Sequence, residues 1–68
     1  MKDYYYIKCT KFAADDYYLC LGGNFRKEPT ALKVFNSIKE AVDWKYNELD
    51  QEAFSSIFEG YEMSIVRL

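Results

Sequence analysis

The chain has 68 residues, a formal charge of −2 and a pI near 5.0; half of its residues are hydrophobic and 19% are aromatic. This length indicates a single domain over residues 1–68, near the lower limit for folding without disulfides or metals. The aromatic content excludes a disordered chain, and the lack of histidine excludes Ser-His, Cys-His and His-metal chemistry. We therefore expect a non-enzymatic protein without a metal or a cofactor.

The start of the chain and its apolar runs bear on localisation. Met1-Lys2-Asp3 contains an acid and is not followed by an apolar h-region, so no signal peptide is predicted. No apolar run approaches the roughly 20 residues that a membrane span needs. We expect a cytoplasmic protein that has no contact with a membrane, with Cys9 and Cys20 as reduced thiols.

The first half of the chain predicts an antiparallel β-hairpin. Residues 4–10 and 17–21 are rich in aromatic and β-branched side chains. Asp15-Asp16 favours a turn before the second strand. Gly22-Gly23-Asn24 ends that strand, because these residues tolerate a positive φ. A basic loop follows over residues 25–30, and residues 32–35 are a candidate third strand.

Strand alternation assigns the hairpin side chains to two faces. One face takes Tyr5, Ile7, Cys9, Tyr17, Leu19 and Leu21, and the other takes Tyr4, Tyr6, Lys8, Tyr18 and Cys20. Cys9 and Cys20 then point to opposite faces, so we predict no disulfide between them. The stripe of Tyr4, Tyr6 and Tyr18 is a candidate partner-binding surface, because tyrosine offers a large rigid area and a hydroxyl. The alternative is that these rings only shield a small sheet.

One long helix is predicted over residues 35–49, and its apolar side is expected to cover the strands. Ser37 followed by Glu40 matches a capping box, in which the hydroxyl and the carboxylate each accept a free backbone N–H. At about 100° per residue, the apolar side consists of Ile38, Ala41, Val42, Tyr46 and Leu49, with the stem of Lys45. Trp44 breaks this pattern by projecting from the polar side.

A short second helix and a final strand complete the chain. Asp50 can cap the helix and Gly60 can end it. Its apolar side consists of Ala53, Phe54, Ile57 and Phe58. Residues 61–68 alternate as a strand that can lie beside the hairpin. The order β-β-(β)-α-(α)-β indicates an α+β fold, with a small antiparallel or mixed sheet and the main helix packed on one face.

Trp44 and the acids near it are a second candidate partner-binding surface. Trp44 either packs under Phe54 and Phe58 or is an exposed anchor for a partner. Residues 34–68 carry seven acids and three bases. The candidate acids are Glu48, Asp50 and Glu52. An acidic face suits a basic partner, including a protein's nucleic-acid channel; solubility is the alternative explanation.

Several short motifs resemble small proteins of Gram-positive phages and mobile elements. These motifs are Tyr6-Ile7-Lys8, Tyr18-Leu19, Phe25, and Lys33-Val34-Phe35-Asn36-Ser37 with Glu40-Ala41 and a closing strand. The resemblance implies an accessory protein of the host cytosol that binds a host protein, as anti-CRISPR and other anti-defence inhibitors do. It assigns no functional residue, because such inhibitors share no common motif.

The function expected from the sequence is inhibition of a larger host protein by covering one of its functional surfaces. One alternative is a single-stranded nucleic-acid-binding sheet, in which aromatic rings stack on bases. Its phosphate contacts would come from Lys8, Lys11, Arg26, Lys27 and Lys33. The acidic pI argues against direct nucleic-acid binding. Another alternative is a structural homodimer that pairs its aromatic faces.

Overall fold

Residues 3–68, which the computed structural model describes, form an antiparallel sheet and two helices. The strands are β1 (Tyr5–Thr10), β2 (Tyr17–Leu19), β3 (Phe25–Arg26) and β4 (Glu62–Arg67), and the helices are α1 (Ile38–Asn47) and α2 (Gln51–Ile57). The strand order is β3-β2-β1-β4, which confirms the predicted α+β fold and the position of the last strand beside the hairpin. The signal-peptide expectation rests partly on Met1 and Lys2, which lie outside the described residues. Neither helix of residues 3–68 is long and apolar enough to cross a membrane.

The hairpin has the predicted register. Lys8 lies opposite Tyr18, and Cys9 lies opposite Tyr17. Because side chains alternate along each strand, Cys9 and Cys20 belong to opposite faces, as predicted. Both are buried free thiols.

The third strand is not the predicted one. Phe25–Arg26, expected in a loop, forms β3 and pairs with the end of β2. Residues 32–35 form only two isolated bridges, Leu32 with Cys20 and Phe35 with Tyr5. This segment lies between the start of β1 and the end of β2, so its two ends bond to different neighbours and no continuous ladder forms.

The capping box of α1 is present. The Ser37 hydroxyl accepts the N–H of Glu40 at 3.1 Å. The Glu40 carboxylate accepts the N–H of Asn36 at 3.0 Å, one residue before the cap. The first bond satisfies a donor that the helix start leaves free, and the second fixes the residue before the cap. They explain why the helix begins at Ile38.

The side of α1 that faces the sheet is only partly the predicted one: Ala41, Val42 and Leu49 are buried or half-buried as expected, but Ile38 and Tyr46 are not. Ala41 is buried and Trp44 is half-buried, whereas Ile38 and Tyr46 are 54% and 72% exposed. The small Ala41 allows the helix to approach the sheet closely, and Trp44 then reaches the ring of Phe25. Burial of the indole, with its large apolar area, outweighs burial of Ile38.

The core fills the space between the sheet and the helices. Its buried residues are Ile7, Leu19, Phe35 and Ala41, and Phe25, Trp44, Met63 and Ile65 pack against them. Phe58 attaches the α2 end to the sheet through ring contacts with Tyr17 at 5.0 Å and Phe25 at 5.5 Å. We call this side of the sheet the covered face. The opposite side, with the half-buried Tyr6, Lys8 and Tyr18, carries no helix and is called the bare face; Cys20, at the end of β2, is buried there near the carbonyl of Glu28.

Candidate partner-binding groove

The seven predicted partner-binding residues do not form one site. Tyr4, Tyr6 and Tyr18 lie on the bare face, by the register of β1 and β2. Trp44, Glu48 and Asp50 line a groove on the helix side of the sheet. Glu52 is exposed in the first turn of α2, outside the lining of this groove. The two candidate surfaces are therefore separated by the sheet.

The groove has a volume of about 890 Å³ and lies between β3 and the junction of the two helices. The aromatic part of its lining is Phe25, Trp44, Phe54 and Phe58. The Phe25 ring lies 6.4 Å from that of Trp44, 5.3 Å from Phe54 and 5.5 Å from Phe58. Trp44 thus packs in an aromatic cluster, one of the two expected alternatives, but Phe25 is the ring through which it meets Phe54 and Phe58.

The groove also has apolar and charged side chains open to solvent. Ile57, on α2, is 74% exposed. The sheet side contributes Arg26 and Lys33, and the helix side contributes Glu48 and Asp50. Arg26, Lys33 and Glu48 form no ion pair within residues 3–68. Their charges are available to a ligand.

The bare face is aromatic. The Tyr6 and Tyr18 rings lie 6.2 Å apart and are tilted by 38°. The Lys8 ammonium lies 5.8 Å from the Tyr18 ring centroid and 3.4 Å from the Asp16 carboxylate. Hydrogen bonding and attraction to Asp16 raise the pKa of Lys8. The positive charge of Lys8 is therefore already compensated by the carboxylate of Asp16.

Other lysines proposed to contact phosphates are also engaged within the chain. Lys27 pairs with Asp15 at 3.3 Å. Lys11 donates to the backbone carbonyl of Glu59 at 3.0 Å. A strong phosphate-binding surface requires several uncompensated cations. On the bare face Lys8 is thus paired with Asp16, whereas Arg26 and Lys33, which form no ion pair within residues 3–68, line the groove on the other side of the sheet.

Cys9 has the properties of a core thiol. It is fully buried, and burial raises its pKa to about 11, against a smaller opposing effect of Lys45. A thiol with this pKa is protonated near neutral pH and is a poor nucleophile. Within residues 3–68, no group of three metal-ligating side chains is placed to hold an ion.

Of the four aromatic residues that line the groove, sequence reasoning misses Phe25, which it places in a loop. The other three are the residues of the alternative in which Trp44 packs with Phe54 and Phe58. The available signal was the position of Phe25 directly after the Gly22-Gly23-Asn24 turn, where a paired strand can begin. Comparisons of the chain with family models, with curated proteins and with solved structures find no match.

Proposed function

We propose that this protein is a non-enzymatic binding protein whose groove receives an apolar side chain of a larger host protein. The observation that carries the proposal is the open aromatic groove beside the exposed Ile57. Protein interfaces commonly place a large apolar anchor in such a pocket, surrounded by polar residues.

The acids on the helix side of the groove favour a basic residue of the partner, whereas Arg26 and Lys33 on the sheet side favour an acidic one. Glu48 and Asp50 line its helix side, and residues 34–68 carry seven acids against three bases. Complementary charge speeds the encounter of two proteins and fixes their orientation. The proposed partner carries a basic residue close to its apolar anchor, as surfaces that bind nucleic acid do.

Inhibition is the proposed consequence of binding. The resemblance to small proteins of Gram-positive phages and mobile elements supports a host defence protein as the partner. A bound chain of this size covers enough surface to exclude the partner's own ligand. The protein acts, in this proposal, as an anti-CRISPR-like or other anti-defence inhibitor in the host cytosol.

Two matched variants test the groove. Ile57→Gln and Tyr46→Gln replace helical side chains that are 74% and 72% exposed, but only Ile57 lines the groove. Each tagged protein, checked for folding, serves as bait in a lysate of a Gram-positive host. We expect one stoichiometric protein that Tyr46→Gln retains and Ile57→Gln loses. The purified partner should lose activity when wild-type protein is added.

Two results would overturn the proposal. Equal capture by both variants would show that the groove is not part of the binding surface. Nuclease-sensitive material in the eluate, released steeply by salt, would replace the protein partner with single-stranded nucleic acid. Binding of that material should then depend on Tyr6 and Tyr18 of the bare face, and not on Ile57.

A further inference from the structure

The hydrogen bonds of β1 determine which backbone groups of β4 point out of the sheet. The N–H of Leu68 donates to the carbonyl of Tyr4 at 2.7 Å. The N–H of Tyr5 donates in the other direction, to the carbonyl of Phe35. Bonded and non-bonded pairs alternate along an antiparallel ladder. Val66 and Ser64 therefore face β1, like Leu68.

The alternate residues of β4 consequently present their backbone groups to the outer edge. These residues are Met63, Ile65 and Arg67. Their N–H and C=O groups have no backbone partner within residues 3–68. A row of unpaired groups of this kind is a template for another strand.

The two edges of the sheet differ in their protection. The β3 edge has only two residues, and a short edge strand offers little to pair with. β4 has six residues, Glu62–Arg67, and contains no proline, glycine or lysine. Its two charged residues, Glu62 and Arg67, stand at its ends, and the four residues between them carry no charge. The open edge is therefore specific to β4.

We propose that β4 pairs antiparallel with β4 of a second copy of this chain, about a two-fold axis at Ile65. In this register Ile65 lies opposite Ile65 of the second copy, and Met63 lies opposite Arg67. Each of these pairs uses outward-facing groups, and bonded pairs exchange two hydrogen bonds. All three outward-facing residues of both copies are then paired.

Neighbouring registers are less favourable. A two-fold axis perpendicular to the sheet keeps each face on its own side, so opposed residues share a face. An axis at Ser64 would oppose Met63 to Ile65 but place Arg67 opposite Tyr61, so fewer outward-facing groups of β4 would be paired. An axis at Met63 would recruit Tyr61, whose N–H already donates to the carbonyl of Phe58 at 3.0 Å.

The side chains also fit a second copy. Ile65 packs against the core, so its pairing with Ile65 of the second copy extends the apolar layer across the interface. Ser64 lies opposite Val66, and no like charges meet. The β4 edge is the sheet edge remote from β3, whereas the groove lies beside β3. The proposed dimer is thus independent of the proposed function and leaves the groove open.

Cysteine cross-linking tests this register. Ser64 and Val66 of the second copy form a non-bonded pair, with Cα atoms about 4.5 Å apart, a separation that a disulfide can bridge. Ser64→Cys/Val66→Cys should form a disulfide-linked dimer under mild oxidation, while Ser64→Cys alone should not, because equivalent Ser64 residues are diagonal neighbours. Equal cross-linking of the two variants would overturn the register.

Amide hydrogen exchange tests the pairing in the wild-type protein. The N–H groups of Met63, Ile65 and Arg67 should become protected as protein concentration rises, in step with a dimer seen by sedimentation. Those of Ser64 and Val66 should be protected throughout. A monomer with unprotected edge amides at every concentration would overturn the proposal. Protection of these amides only after another protein is added would assign the edge to a foreign strand instead.

Discussion

The two faces of the sheet are built from the same strands, yet different interactions hold them. Tyr18 and Leu19 are neighbours on β2. Tyr18 lies on the bare face beside Tyr6 and Lys8, whereas Leu19 is fully buried on the covered face. Apolar burial stabilises the covered face, and solvent-accessible ring and ion pairs act on the bare face. Stability is therefore concentrated on one side, and the groove lies where that side opens to solvent.

The largest expected effect comes from Leu19→Ala compared with Tyr18→Ala. The first removes a fully buried side chain and should lower the free energy of unfolding by about 2–5 kcal/mol. The second removes partly exposed ring contacts and should cost about 1–2 kcal/mol. Urea denaturation measures both. Equal losses would contradict the contrast between the two faces.

The pH dependence of stability tests the burial of Cys9 on the covered face. Its pKa is raised by burial to about 11, so the folded state favours the neutral thiol. The resulting stabilisation is fully present below the pKa of the unfolded chain, near 9, and is lost as the pH rises through 11. About two pKa units correspond to about 3 kcal/mol.

Cys9→Ala isolates this effect from the titration of tyrosines and lysines. The difference in free energy of unfolding between wild type and Cys9→Ala should be constant below pH 8. It should shift against the wild type between pH 9 and pH 11. A difference that does not change with pH would show that the thiol ionises freely in the folded protein.

A smaller effect is expected at the start of α1. Ser37→Ala removes the acceptor of the Glu40 N–H and should destabilise the protein by about 1 kcal/mol. Ser56→Ala is the matched control, because Ser56 is an exposed serine inside α2. Thermal denaturation should separate the two variants. Similar midpoints would show that the Ser37 cap does not stabilise α1.

The smallest effect is expected on the bare face. Asp16→Asn breaks an accessible ion pair with Lys8, and such pairs contribute little to stability. The pKa of Lys8, which Asp16 raises, should fall toward its ordinary value. NMR titration of the lysine side chain measures this change. A large loss of stability with an unchanged pKa would contradict the assignment of this pair.

Local signals in the sequence were sufficient for much of the fold. The Ser37 cap, the Asp50 cap and the stop at Gly60 depend on a few consecutive residues. Alternation was likewise sufficient for the register of β1 and β2. The rotation of α1 was not predictable in this way, because helical periodicity considers the helix alone. The position of Trp44 depends on a ring contributed by the distant Phe25.

The candidate site was predicted only in part for the same reason. Trp44, Glu48 and Asp50 are close in sequence, and they do line one groove. Phe54 and Phe58 of α2 also line it, as one alternative for Trp44 predicts, whereas only the tertiary fold brings Phe25 of β3 to them. Two-residue strands such as β3 carry too little periodicity to be recognised. Tyr6 and Tyr18 were grouped correctly with each other, on the face of the sheet away from the helices.

The most direct test of the binding groove is the dissociation constant of the captured partner, measured by calorimetry for three proteins. These are the wild type, Ile57→Gln at the groove and Tyr6→Gln on the bare face, each with a thermal transition that confirms folding. We expect the dissociation constant to rise about tenfold or more for Ile57→Gln and to be unchanged for Tyr6→Gln. Weaker binding for Tyr6→Gln with no change for Ile57→Gln would contradict this expectation and transfer the function to the bare face.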